Sequence, residues 1–321
     1  MSEKTIEQNN PAAKRPTLRK DMTKWEWTKK EMKVNRVGYY MVAPFFLIFL
    51  TFTIAPVVLS LILSFTSFNM LEWPKFLFLD NYIRLFLEDD IFLLAVKNTL
   101  IFAIMTGPAS YFLCLIFAWF INELTPKIRA IVTLIFYAPS ISGQIYIVWT
   151  VMFSSDQYGY ANGILMKLGI INSPILWFQD TNYIMPLVIL VALWTSLGTS
   201  FLSFIAGFQV VDKSLYEAAA VDGIKNRWQE LWFVTLPAMK NQMVFAAIMS
   251  ITQSFGFGGV VTTLCGFPSP NYCAWTIMHH LEDYGGQRWE VGYASAIATV
   301  LFAIMIGSNL LVNRMLSKVG K

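Results

Sequence analysis

Charge is scarce in this sequence, and the scarcity is patterned. Only 14% of the 321 residues are Asp, Glu, Lys or Arg, against about 25% in a soluble domain. The deficit falls in long stretches, with the charges gathered between them. Three cysteines (Cys114, Cys265 and Cys273) supply neither a disulfide scaffold nor a cysteine-rich metal site. The only histidines are the adjacent His279 and His280, a poor arrangement for a metal, and no His-Glu-x-x-His motif occurs. The phosphate-binding pattern Gly-x4-Gly-Lys-Ser/Thr and the nucleophile pattern Gly-x-Ser-x-Gly are both missing. The basic residues show neither the patch nor the interleaved aromatics of a nucleic-acid surface, so no nucleic-acid partner is expected. The polar N-terminus has no signal-peptide pattern, so the first apolar segment is expected to stay in the membrane.

What is present is apolar length. A spanning helix needs roughly 20 mostly apolar residues. Six segments qualify: 38–68, 94–121, 130–154, 184–210, 243–264 and 291–313. They are too long, and too apolar on all sides, for barrel strands of about ten alternating residues. Lys and Arg set the expected direction. Ten of them precede the first span, from Lys4 to Arg36. Lys127 and Arg129 lie in the second connection; Lys213, Lys225, Arg227 and Lys240 in the fourth; Arg314, Lys318 and Lys321 in the tail. The remaining connections carry only Lys75, Arg84, Lys97, Lys167 and Arg288. The bias predicts cytoplasmic termini and six spans in an all-α membrane protein. The domains then read as a basic tail over 1–37, a membrane domain over 38–315 and a short tail over 316–321. Residues 17–36, with Met22, Trp25, Trp27 and Met32 among lysines, read either as an interfacial helix or as a solvated tail.

Ionisable side chains are missing from the cores of all six segments. That disfavours proton coupling and excludes voltage sensing, because both place such groups inside the membrane. Uncharged polar residues remain. Ser196, Thr199, Ser200, Ser203 and Gly207 share one helix face. Gln253 stands in the fifth segment and Asn98 in the second. Gln253, Ser196, Ser200, Ser203 and Asn98 are the candidate solute pathway; close helix packing is the other reading of the serine face. Glu88, Asp89 and Asp90 read as a solvated loop face or a helix start. Cys265 and Cys273 flank Gly266, Pro268 and Pro270, and are read either as a disulfide in an outward loop or as two free thiols.

The connection over 212–241 looks structured. Ser214 and Glu217 have capping-box spacing, three alanines (Ala218, Ala219 and Ala220) propagate a helix, and Gly223 can end it in a left-handed conformation. Asn226 and Gln229 suit a second start; Trp228, Leu231, Trp232 and Thr235 share a face; Pro237 ends the run. A thin helix followed by glycine suits a narrow cleft on a partner, and an amphipathic connector on the membrane is the alternative.

Glu217-Ala218-Ala219, Asp222-Gly223 and Leu236-Pro237 resemble the EAA loop of binding-protein-dependent ABC importer permeases. Leu79-Asp80-Asn81-Tyr82, Asn98-Thr99, Pro139, Ser142 and Gly207–Gln209 resemble the maltose-type carbohydrate subfamily. The resemblance implies a type I importer permease fold and a bacterial plasma-membrane protein. It also implies that Glu217, Ala218, Ala219, Asp222, Gly223, Leu236 and Pro237 form the ATPase-coupling loop. The partners it implies are a second homologous permease, a dimer of cytoplasmic ABC ATPases and an extracellular solute-binding protein. ATP and magnesium then sit on the ATPase, with no cofactor on this chain. Competing readings are an ATP-independent carrier or channel for a small polar solute, and a membrane enzyme. The enzyme lacks any acid, His or Cys cluster at one membrane face.

Overall fold

The computed structural model describes residues 23–143 and 145–316. Among these the only β feature is one antiparallel bridge, Thr66 to Phe76; everything else regular is helical. The chain divides into two units, residues 1–62 and 63–321.

In the first unit, α1 (Lys24–Val34) starts with a capping box: Glu26 N–H donates to Thr23 Oγ1, and Thr23 N–H donates to Glu26 Oε2. The candidate interfacial segment is thus helical over 24–34, while its residues 17–22 lie outside the described residues, as does the tail over 317–321. The long apolar helix α2 (Arg36–Leu63) follows.

The second unit is built on α3 (Asp90–Asn122), the axis against which the others pack. After it come α4 (Pro126–Ile141), α5 (Ile147–Met152) and α6 (Tyr160–Lys167). Then follow α7 (Thr181–Thr195), α8 (Thr199–Val210), α9 (Lys213–Val221) and α10 (Arg227–Glu230). The chain closes with α11 (Lys240–Phe255), α12 (Gly258–Cys265), α13 (Ile277–Glu282) and α14 (Val291–Leu316).

Four helical stretches are individually long and apolar enough to cross a membrane: α2, α3, the run Lys240–Cys265, and α14. The pair α7–α8, bent by 40°, is a fifth if counted as one span. The expected third span, 130–154, is not a continuous helix. It stops at Ile141 and resumes at Ile147. Pro139 has no N–H for the helix ladder, and Ser142 turns extended, which ends α4 before it reaches spanning length. The expected fourth span, 184–210, is helical at both ends but broken over Ser196–Gly198.

Three apolar clusters hold the unit together. Phe201, Phe204 and Phe208 of α8 meet Cys114, Leu115 and Ala118 of α3, with Met243 and Ala246 of α11. Phe92 and Ala95 meet Trp275, Ile277, Tyr293 and Ile297 at the other end of α3. Phe102 joins Val188 and Val191 of α7 to Val260 and Val261 of α12. Lipid is as apolar as these side chains, so contact and interhelical hydrogen bonds carry the association at membrane depth.

The loop after α2 is a fixed hairpin. Ser67 N–H donates to Lys75 O at 2.9 Å, and Asn81 Nδ2 holds the carbonyls of Ser64 and Thr66 at 2.8 and 2.9 Å. It rests on the first turn of α14, where Gly292 N–H donates to Phe68 O at 2.8 Å. A Cβ on Gly292 would strike the Thr66 carbonyl oxygen and lie 2.8 Å from Phe68 N, both rigid backbone. Gly292→Ala should therefore cost about 1–3 kcal/mol, read as a lowered Tm of the purified protein in detergent. An unchanged Tm would mean that the hairpin is free to move off α14.

Candidate functional site

The 212–241 connection folds into two short helices with a turn between them. Helix α9 is capped by Asp212, whose carboxylate accepts the Ser214 N–H at 3.0 Å. The start is thus two residues earlier than the Ser214–Glu217 box expected from the sequence. Asp binds the free N–H groups of a first turn as well as Ser does, and it stands at the extended residue. Glu217 is left exposed. At the other end Gly223 N–H donates to Ala220 O at 3.3 Å and Ile224 N–H to Ala219 O at 3.0 Å. This double bond pattern requires the left-handed φ of +94° found at Gly223. Asn226 accepts the Gln229 N–H at 2.9 Å and starts α10, as its position predicts.

Leu215, Glu217, Ala218, Val221 and Asp222 point outward, with Val221 88% exposed, while Ala219 is buried. Leu236 is buried and Pro237 exposed. The expected Trp228–Thr235 face divides: Leu231 and Thr235 are buried, Trp228 and Trp232 exposed. Tyr216 Oη and Thr235 Oγ1, 2.9 Å apart, join the two helices. Arg227 reaches Glu123 at the end of α3 at 3.3 Å, and the Trp119 and Trp228 rings lie 4.7 Å apart. A cavity of about 470 Å³ separates this loop from the helical body, lined by Trp119, Glu123, Arg129, Tyr216 and Arg227 among others. The loop is thus a thin plate held at a few points, with most of its sequence-marked face uncovered.

The candidate pathway residues separate into two kinds. Ser200 Oγ donates to Ala246 O at 3.0 Å and accepts from Ser250 Oγ at 3.0 Å; Ser203 Oγ donates to Gln242 O at 3.2 Å. Ser196 Oγ bonds back to Leu193 O at 2.7 Å. Those serines join α8 to α11 or close their own helix. Asn98 holds the carbonyls of Tyr272 and Trp275 at 3.1 and 3.0 Å, so it ties a loop to α3. Gln253 differs. Its Oε1 is buried without a hydrogen-bond partner. It stands against the break in α7–α8, where a Cβ on Gly198 would meet Gln253 Nε2 at 3.2 Å and Ser140 Cβ at 3.3 Å. Gln253, Gly198 and Ser140 are thus gathered where two helices are interrupted. Ser140 and Gly198 were not singled out in the sequence, although Pro139 and a glycine between two apolar runs mark both breaks.

Cys265 and Cys273, the candidate disulfide pair, carry no bond between them in this structure and pack on the same apolar cluster. The Glu88–Asp90 run is a helix start, with Asp89 accepting the Phe92 N–H at 2.9 Å. Among the described residues no group of three or more His, Cys, Asp or Glu is placed to hold a metal.

No family model matches the chain. Individual proteins do. A Bacillus subtilis protein described as a probable ABC transporter permease, YesP, is 32% identical over 279 residues, 85% of this chain and 88% of that protein. The arabinooligosaccharides transport system permease AraP of the same organism is 32% identical over 270 residues, 84% of each chain. In solved structures, a chain of a bacterial ABC transporter involved in the import of the acidic polysaccharide alginate superposes with a TM-score of 0.72 at 25% identity. It covers 92% of this chain and 99% of that one.

A buried amide oxygen without a partner costs about 1–3 kcal/mol. Gln253→Leu should leave Tm unchanged or raised while solute uptake in proteoliposomes changes. Unaltered uptake and unaltered apparent affinity would assign Gln253 to packing.

Proposed function

The chain belongs to the permease proteins of ABC transport systems, and from that premise we propose that it forms half of the solute pathway of an ATP-driven carbohydrate importer. It is a transport subunit and not an enzyme. The observation that carries the reading is the 213–223 plate: a capped, alanine-thin helix closed by a left-handed glycine, exposed at Glu217, Ala218, Asp222 and Gly223 of the residues that resemble the EAA loop. An ATP-independent carrier has no need of such a surface.

In this reading the loop of Glu217, Ala218, Ala219, Asp222, Gly223, Leu236 and Pro237 docks on one subunit of a cytoplasmic ATPase dimer, which holds ATP and magnesium; the exposed Glu217, Ala218, Asp222, Gly223 and Pro237 face the partner, and the buried Ala219 and Leu236 hold the loop on the helical body. A second, homologous permease completes the pathway, and an extracellular solute-binding protein delivers the solute to it. The carbohydrate class is supported by the arabinooligosaccharides and alginate named for the relatives. Gln253 Oε1, free to accept from a hydroxyl at the paired breaks, suits a polyhydroxyl solute. Six spans follow if α7–α8 counts as one and α4 and α5 together make another. The Lys and Arg bias then puts both termini and the 212–241 loop in the cytoplasm of a bacterial cell. The interfacial role of α1 and a disulfide between Cys265 and Cys273 belong to the same proposal: the first needs anionic lipid beside its lysines, the second an oxidising exterior.

Orientation is checked by labelling single cysteines with a membrane-impermeant reagent. Positions 75, 165 and 285 should react in intact cells, and 127 and 225 only after lysis. Reaction at 225 from outside inverts the topology. Coupling is checked by Gly223→Asp. A non-glycine residue at left-handed φ is strained by roughly 1–2 kcal/mol, and the added carboxylate stands on the docking face. Uptake and ATPase association should be lost at near-normal membrane levels. Normal coupling in that variant returns the loop to a surface connector.

A further inference from the structure

The segment Ser269–Gln287 folds back over the ends of α3, α12 and α14, and its anchors are buried polar groups that the pathway does not use. Asn98 grips the carbonyls of Tyr272 and Trp275, and Thr99 Oγ1 accepts the Ile277 N–H at 2.9 Å. The adjacent histidines, 1% and 2% exposed, then face opposite ways. His279 Nδ1 accepts from Thr276 N–H at 3.2 Å and lies 2.7 Å from Thr276 Oγ1; its Nε2 reaches Gly258 O at 3.1 Å, the first residue of α12. His280 Nδ1 accepts from Trp275 Nε1 at 3.3 Å, and its Nε2 reaches Asp89 Oδ2 at 2.9 Å. The same carboxylate oxygen accepts from Tyr293 Oη of α14 at 2.8 Å. A donor at each Nδ1 leaves the Nε2 of each ring to donate to its own acceptor, Gly258 O for His279 and Asp89 Oδ2 for His280.

The surroundings are defined on every side. His279 lies against the rings of Trp275 and Phe267, at 5.3 and 6.0 Å. His280 lies against Tyr284 and Phe92, at 4.9 and 5.7 Å. Beyond Asp89 and Tyr293, Arg84 pairs with Glu290 at 2.6 Å over the Tyr293 ring, and Arg288 pairs with Asp283 at 2.7 Å over Tyr284. Burial pushes the His279 imidazole down to about 4. Burial raises Asp89, but hydrogen bonds from His280, the Phe92 N–H and Tyr293 outweigh it and hold the carboxyl at about 2.

We infer that His279 and His280 are positioning residues for import: they fasten the 269–287 arm to α3, α12 and α14 so that a load on the arm reaches the helix break beside Gln253. The route is short. Gly258, the residue His279 holds, follows the interruption at Gly256–Phe257 and stands five positions from Gln253. The inference rests on the importer reading, with the arm on the outer side, where a solute-binding protein would dock.

The test uses the full importer in nanodiscs, with a spin label on Glu282→Cys in a background freed of native cysteines. His280→Gln and Asp89→Asn should raise label mobility and cut binding-protein-stimulated ATP hydrolysis about tenfold or more, the scale of a lost buried charge-assisted hydrogen bond. Basal hydrolysis should not change. In a separate sample, Thr99→Cys with Ile277→Cys, oxidised, should restore stimulation to His280→Gln. A pH profile separates positioning from bulk folding. The His279 value in the folded arm lies below the ordinary 6.5, so its stabilisation is complete above about pH 6.5 and fades as pH falls toward 4. Label mobility in the wild type should rise across that window, and His279→Gln should abolish the step. An immobile label in both variants, or stimulation that stays normal with a mobile arm, overturns the inference. So does a loss of stimulation that the cross-link fails to repair. A wild-type complex that no binding protein stimulates counts against the importer reading instead, and label mobility then still decides whether the histidines fasten the arm.

Discussion

A helix that stops at membrane depth leaves backbone donors and acceptors with no water to meet them. Interrupted backbone is therefore tolerated there only inside protein or along a cavity. This constraint organises the second unit. Its interruptions, after Ile141, over Ser196–Gly198 and at Gly256–Phe257, lie against other helices, and each is provided for locally. Ile145 N–H turns back to Ser142 O at 3.3 Å, Gly198 N–H to Ser196 O at 2.7 Å and Gly256 N–H to Gln253 O at 2.9 Å, and Cys114 Sγ lies 3.6 Å from Ser196 O. Where backbone is already interrupted, the chain can afford a polar side chain without its full complement of bonds, and Gln253 is that side chain.

The two ends of the unit solve different problems. The 212–241 loop has a helix capped by its own residues that leans on the body at few points. Exposure of Glu217, Ala218 and Val221 follows from that economy. The 269–287 arm is the opposite case. Its buried polar groups are bonded to Asp89, Asn98 and Thr99 at the start of α3, to Gly258 of α12, or to one another, and aromatic rings pack between them. Polar bonds of this kind gain strength in a low-dielectric setting and become costly when one partner is removed. One end is lightly held, the other firmly tied.

The serine face of α8 shows how periodicity and function come apart. Its spacing is regular, and it does mark a shared surface, yet Ser200 and Ser203 are occupied by carbonyls of α11. Asn98, singled out for polarity in an apolar run, donates from Nδ2 to two carbonyls of the arm. Polarity in a membrane helix identifies residues that need partners. Whether the partner is a neighbouring helix or a solute depends on what stands opposite.

The sequence by itself determined the helical class, the apolar runs, the loop helix with its left-handed end at Gly223 and the start at Asn226. These rest on composition and on contacts between residues a few positions apart. Family membership was legible too, because the loop motif is local. Tertiary structure decided the rest. It interrupted the 130–154 and 184–210 runs, since a local proline or glycine permits a break but only neighbouring helices make it tolerable. The α9 start at Asp212, by contrast, was a local choice between two good capping residues a few positions apart. Tertiary structure gave the histidine pair surroundings that spacing could not reveal, because Gly258 reaches His279 and Asp89, itself held by Tyr293, reaches His280 from distant parts of the chain.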